Sequence, residues 1–183
     1  MKKYRNAIND YRQMSLSNYD ILNLLEGKTK IISYPELTKY KNIFDALKPY
    51  GSFVLLYLTK PNYGHWTCVI SHLDRLEVFD SYGDVEPDEQ LDYVPMSIKK
   101  RTKQDFPYLT KLLYESGMPV EYNNFKFQKY GNGTATCGRH VATRLLFKNL
   151  YIDDYVALMK ALSKKTKLNY DELVTLLTMY INK

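Results

Sequence analysis

Ser52 to Thr59 reads SFVLLYLT, and six consecutive apolar residues, Phe53 to Leu58, fill its middle. The run has strand length and leaves no polar face, so it predicts a strand buried on both sides. A strand of that kind needs a layered fold, with elements packed above and below one sheet. Two further apolar segments follow at once. His65 to His72 and Leu76 to Asp80 are separated only by Leu73-Asp74-Arg75, a connection tight enough for a hairpin. Pro49-Tyr50-Gly51 marks a turn before the first strand, and Lys60 to Gly64 a loop after it.

The flanking chain is largely helical in pattern. Ser17-Asn18-Tyr19-Asp20 is a capping signal ahead of Ile21, Leu22, Leu24 and Leu25, and Gly27 stops that helix. Ile31 to Tyr34 reads as a short strand or extended link, and residues 35–48 as a loose helix. Residues 97–116 read as helical, with Pro107 as a break or second start. Val120 to Gln128 alternates weakly and predicts another strand. After the segment that begins at Cys137 come two more helices, Ile152 to Leu162 and one from Asn169 or Asp171 to Ile181. The 183 residues fit one domain, 1–183, with a polar, basic arm or short helix at 1–14. The expected class is α+β, a small mixed sheet of about four or five strands flanked by helices.

Net charge is +6. That suits solubility and attraction to nucleic acid or acidic surfaces without proving either. Lys99-Lys100-Arg101-Lys103 and Lys164-Lys165-Lys167 are the two basic clusters. With 18 Tyr and abundant Lys, Asn and Ile, a genome rich in A/T explains part of the charge as well. The two cysteines, Cys68 and Cys137, are widely spaced and have no zinc-type neighbours. The polar start is not a signal sequence and no apolar run approaches a membrane span, so a reducing, intracellular setting is expected.

Cys137 lies in Ala135-Thr136-Cys137-Gly138-Arg139-His140, after a Gly/Asn/Thr-rich loop and at the start of a helical pattern carried by Val141, Ala142, Leu145 and Leu146. A thiol in the first turn of a helix sits among free N–H groups at the positive end of the dipole, which favours the thiolate. The same N–H groups can hold an oxyanion. A lone buried cysteine is more often structural, so a base and an orienting group are needed to raise the case. Of three histidines, His65 sits where a loop becomes a strand, behind Gly64. His72, at the strand's far end, reads as a surface loop residue, and His140 as a helix residue packing or bonding locally. In the expected hairpin His65 and Asp80 come from the same end and face each other, so Asp80 can fix the imidazole tautomer. By itself Asp80 could equally cap a turn.

Taken in order, Gly64-His65-Trp66, Phe79-Asp80-Ser81-Tyr82-Gly83, Gln128 and Cys137-Gly138 resemble the adenovirus protease and SUMO-specific protease superfamily of cysteine proteases. The His-Trp and Asp-Ser-Tyr-Gly pieces, with Cys-Gly-Arg-His, are most similar to capsid-maturation proteases of large DNA viruses, virophages and related mobile elements. The resemblance covers roughly residues 50–150. It implies an adenain-like architecture, papain-like but circularly permuted. It implies Cys137 as nucleophile, His65 as base and Asp80 as orienter. Gln128 and the backbone N–H groups around Cys137 would form the oxyanion hole. Trp66 and Gly138 would contact substrate, Trp66 narrowing a channel for small residues such as glycine.

One departure concerns Gln128, which precedes Cys137 by nine positions where the family spacing is six or seven. Gly131 and Gly133 would let the intervening chain bulge. Asn132 is the rival donor. The expected activity is cleavage of capsid or other virion precursors during maturation, with no metal or organic cofactor. DNA is an activator that the basic clusters would permit, and solvated lysines explain those clusters equally well. The expected location is the virion and the host-cell cytoplasm or viral factory. A deconjugase for SUMO- or ubiquitin-like modifiers would share every catalytic residue. A non-catalytic, basic DNA-binding virion protein would not need His65, Asp80 and Cys137 together.

Overall fold

The computed structural model describes residues 2–129 and 135–179. Five strands, β1 (Ile31–Ser33), β2 (Ser52–Lys60), β3 (Tyr63–Ser71), β4 (Leu76–Asp80) and β5 (Val120–Tyr122), lie side by side in that order. β2, β3 and β4 form an antiparallel meander, while β1 pairs parallel with β2 and β5 parallel with β4. The sheet is therefore mixed, as expected.

The apolar run in β2 is divided by strand alternation. Val54 and Leu56 enter one core with Trp66, Cys68, Ile70 and Phe79. Phe53, Leu55 and Tyr57 enter a second core with Val69, Leu76 and Val78. Each of these side chains gains roughly 1.5–3 kcal/mol from full burial, which is why so continuous an apolar run is stable only at the centre of the sheet. The first core is closed by α1 (Lys2–Arg12), α2 (Asn18–Leu24), α6 (Cys137–Leu146), α7 (Ile152–Thr166) and α8 (Tyr170–Thr178), which supply Ile8, Ile21, Val141, Tyr155 and Val174. The second is closed by a 3₁₀ helix (Tyr34–Lys39), α3 (Ile43–Leu47), a second 3₁₀ helix (Glu89–Tyr93) and α5 (Tyr108–Glu115), through Tyr34, Ile43, Leu91 and Leu112. The capping box Ser17/Asp20 starts α2, and a second box, Asn169/Glu172, starts α8.

Some expectations hold and others are corrected. Residues 97–116 form two helices, α4 (Met96–Thr102) and α5, with the second start at Pro107 as expected and a left-handed Lys103 ending the first. The strand expected over Val120 to Gln128 stops at Tyr122. Asn123 ends it by accepting from the Asp80 N–H at 2.9 Å and donating to the Asp80 carbonyl at 2.7 Å, so its side-chain amide replaces the next backbone pair. The arm at 1–14 contains α1, which packs on α8. His72 is not a surface loop residue. Its ring is nearly buried, stacks on Tyr151, and lies 2.9 Å from Glu77. Glu77 in turn takes two hydrogen bonds, 2.7 and 2.6 Å, from the fully buried Arg144 guanidinium. This tie fixes α6 to β4. Among the described residues no helix is long and apolar enough to cross a membrane.

Candidate active site

The site forms at one end of the β2–β3–β4 meander, where the N-terminus of α6 meets the start of β3. Gly64, one residue ahead of His65, pairs with Leu58 across the strands, and any Cβ there would collide with the Tyr57 carbonyl. Gly64 is not among the glycines with a left-handed φ. A glycine is required because two backbones touch.

The β3–β4 register pairs Asp80 with Thr67. His65 is therefore not directly opposite Asp80, as expected, but two residues further along, on the same side by alternation. The diagonal still serves. His65 Nε2 lies 3.0 Å from both Asp80 carboxylate oxygens. With Nε2 so engaged, Nδ1 is the nitrogen left for the Cys137 thiol, and the two side chains shift each other's pKa. Cys137 opens α6, as its position in the sequence predicts.

The charges follow from these contacts. Burial disfavours the imidazolium, but the Asp80 charge and hydrogen bond, with the Cys137 thiol, raise His65 from 6.5 to about 10. Burial pushes the Cys137 thiol up, and the His65 hydrogen bond and charge, aided by the Trp66 and Gly138 backbone, bring it below the ordinary thiol value. Burial likewise raises the Asp80 carboxyl, and His65, the Tyr82 N–H and Gln90 outweigh it to leave the group lowered. Both shifts favour the imidazolium–thiolate form of the pair over the neutral one.

Asp80 is held from every side. Tyr82 N–H donates to Oδ1 at 2.9 Å, Gln90 Nε2 donates to Oδ2 at 2.8 Å, and Asn123 brackets its backbone. Tyr82 also stacks on the His65 ring, centroids 4.9 Å apart and planes 15° apart. Sequence reasoning missed Gln90 and Asn123. Neither belongs to a pattern, and only the fold brings them to Asp80.

Gln128 is not on a strand, as expected, nor does it face solvent. It is buried and fixed all the same. Its backbone N–H donates to the Ser81 carbonyl at 2.8 Å. The Ser81 hydroxyl donates to its Oε1 at 2.7 Å, which turns its NH₂ group the other way, 3.5 Å from the Tyr82 hydroxyl. Asn132, Gly131 and Gly133 lie outside the described residues.

An open cleft of about 780 Å³ runs past Cys137, His65 and Trp66. Tyr19, Tyr63, Tyr82 and Tyr93 line it with Ser15, Ser17, Asn18, Asn62 and Gln90, and among the described residues no Lys, Arg, Asp or Glu does. Trp66 belongs both to this cleft and to the core. Gly138 and Gln128 are not among its lining. Gly138 packs so closely that a Cβ would stand 3.2 Å from Trp66 and Leu16, while its backbone helps lower the thiol. Cys68 is fully buried, and burial pushes its thiol well up. His140 packs inside the protein as a fully buried residue of α6 against Phe127, and its polar partner is not local, since its Nε2 lies 3.0 Å from Asp171 on α8. Among the described residues no group of three or more His, Cys, Asp or Glu could hold a metal ion.

No family model matches the chain. A protein of Sputnik virophage, "Uncharacterized protein V9", is 43% identical over 170 residues, which are 92% of this chain and 97% of that protein. Among solved structures, the selenomethionine crystal structure of the ASFV pS273R protease is similar at 18% identity and a TM-score of 0.43, covering 91% of this chain and 67% of that one.

Proposed function

The chain belongs to the family of the Sputnik virophage protein V9, and we propose that it is a cysteine endopeptidase that cuts virion precursor proteins. One observation carries this reading. A thiol in the first turn of α6 shares one cleft with an imidazole whose Nε2 lies 3.0 Å from a buried carboxylate, and the thiol and imidazole shift each other's pKa.

In this reading the Cys137 thiolate attacks the scissile carbonyl carbon, and the carbonyl electrons move to oxygen. The oxyanion is met by N–H groups at the start of α6 and by the Gln128 amide. The His65 imidazolium gives its proton to the departing amine as the C–N bond breaks, leaving a thioester. Water then loses a proton to His65 and attacks the thioester, and the thiolate leaves as the acid product forms. Asp80 keeps the imidazole in one orientation and stabilises its charged form. These steps draw on no metal or organic cofactor. An uncharged cleft walled by Trp66 and tyrosines suits a peptide read by its backbone and by small or uncharged side chains. The virion as the source of substrates rests on the virophage relative and on the motif resemblance. Activation by DNA belongs to the same proposal, with Lys164, Lys165 and Lys167 exposed at the end of α7 and Lys100, Arg101 and Lys103 exposed at α4.

The test is co-expression with virion structural proteins, followed by mass spectrometry of the products. New termini are expected that vanish with Cys137→Ala. Intact precursors, together with a wild-type thiol no more reactive than a free cysteine, would overturn the reading. Release of a fluorophore only from SUMO- or ubiquitin-linked substrates would replace it with deconjugation.

A further inference from the structure

We propose, resting on the peptidase reading above, that Asp171 is a positioning residue that sets the oxyanion side of the site. Asp171 sits in the first turn of α8 yet is only 3% exposed. Its own helix does not need it as a cap, because Asn169 and Glu172 form the capping box. Its carboxylate turns instead toward the catalytic helix. Oδ1 accepts from the Thr136 hydroxyl at 2.6 Å and from His140 Nε2 at 3.0 Å, and Oδ2 accepts from the Lys129 N–H at 3.4 Å.

The placement of these donors is the point. Thr136 immediately precedes Cys137, and Lys129 immediately follows Gln128. One buried carboxylate therefore joins the two pieces of chain that carry the nucleophile and the amide donor. His140, one turn into α6, adds a third attachment and ties the helix itself to the same group.

Thr136 also behaves unlike an ordinary N-cap. A threonine there normally turns its oxygen to the N–H of the second or third helical residue. Thr136 makes no side-chain cap bond, since its hydroxyl donates to Asp171. The Thr136 side chain thus does not cover the first-turn N–H groups of α6, which can face a developing oxyanion. Asp171 both anchors the helix start and withdraws the side chain that would otherwise cover it.

The experiment uses the full chain as wild type, Asp171→Asn, Thr136→Val and Thr136→Ser. Hydrolysis is read with the fluorogenic peptide acetyl-Leu-Arg-Gly-Gly-aminomethylcoumarin, inhibition with the matching glycinal, and thiol reactivity with iodoacetamide. Asp171→Asn and Thr136→Val should lower kcat about tenfold or more, a part of the roughly 10²–10³ that outright loss of an oxyanion donor costs. KM and the alkylation rate should stay within about threefold, because neither uses the oxyanion hole. Inhibition by the aldehyde should weaken in step with kcat, since its adduct needs the same donors. Thr136→Ser, which restores the hydroxyl, should recover most of what Thr136→Val loses.

A folded Asp171→Asn with wild-type kcat overturns the proposal. So does a parallel loss of kcat and alkylation, which would mark general damage to the Cys137–His65 pair. Should Asp171→Asn fail to fold, Thr136→Val decides alone, since it removes one hydroxyl and keeps the branched shape. A wild type that neither cleaves the peptide nor binds the aldehyde sinks the peptidase reading itself. An active wild type with indifferent variants sinks only the role of Asp171.

Discussion

Asp80→Asn tests the charge logic of the site most directly. The change keeps the shape and one acceptor oxygen but removes the carboxylate charge. In the wild type His65 is raised from 6.5 to about 10 against the opposing effect of burial, by Asp80 first and Cys137 second. That gap corresponds to about 5 kcal/mol at 1.36 kcal/mol per pKa unit. Asp80 supplies the larger part, so at least roughly 2–3 kcal/mol leaves with its charge, about two powers of ten in the imidazolium–thiolate population. The asparagine also meets a geometric conflict. His65, the Tyr82 N–H and Gln90 Nε2 all bring donors to this side chain, and a single amide oxygen cannot serve three donors while its own NH₂ faces them. The assay is the rate of Cys137 alkylation by iodoacetamide across pH, with mass spectrometry to assign the site. The wild-type acid limb should lie below the usual thiol value of about 8.5. In Asp80→Asn it should move up by at least about one pH unit, and kcat should fall about a hundredfold. Superimposable alkylation curves for the two proteins would refute the reasoning.

Four further outcomes are expected. Because the folded His65 value of about 10 exceeds its unfolded value near 6.5, its stabilising contribution is complete below about pH 6.5 and drains away as pH rises to about 10. Denaturant titrations of the wild type should show that decline and those of Asp80→Asn a flatter one. Gln128→Ala should lose roughly 10²–10³ in kcat with little change in KM and an intact alkylation rate. If Asn132→Ala is the crippling variant instead, the donor is Asn132. Glu77→Gln leaves the fully buried Arg144 charge uncompensated and should cost about 3–5 kcal/mol, or about 6–20 °C in Tm for a chain of this size. Glu77→Leu with Arg144→Met should recover much of that. Finally, if DNA activates the enzyme, added DNA should raise proteolysis and salt should reverse it through counterion release, whereas indifference to DNA at low salt removes that idea alone.

What the sequence discloses and what it hides separate on physical grounds. β2 is legible because six apolar residues in a row admit few environments. The β3–β4 hairpin is legible because only four residues connect its strands. His65, Asp80 and Cys137 are legible because strand ends and helix starts can be located from pattern, although the diagonal register was missed by two positions. Gln90, Asn123 and Asp171 are not legible. Each is a polar residue whose meaning lies in a partner 10, 43 or 31 to 42 positions away, and no local periodicity marks it. The short β5 was overread for the same reason, since the Asn123 side chain stands where strand backbone would otherwise continue.

The two cysteines show how position in the fold sets reactivity. Burial is the largest influence on both thiols and pushes both upward. Cys68 lies mid-strand between Val54 and Phe79, with sheet partners on each side, so its neighbouring N–H groups are committed to the ladder. The nearest charges add little relief, since Glu77 and Asp80 raise it and only Arg144 opposes them. Cys137 stands where a helix begins, and there the backbone has N–H groups with no partner of their own. The Trp66 and Gly138 backbone assist it, and His65 supplies both a hydrogen bond and a charge. Desolvation opposes both thiolates, but at the helix start the hydrogen bonds and the His65 charge outweigh it. A single alkylator at neutral pH should therefore label Cys137 and spare Cys68 until the protein unfolds. Labelling of Cys68 in the folded protein would show that burial in the sheet is not the barrier it is argued to be.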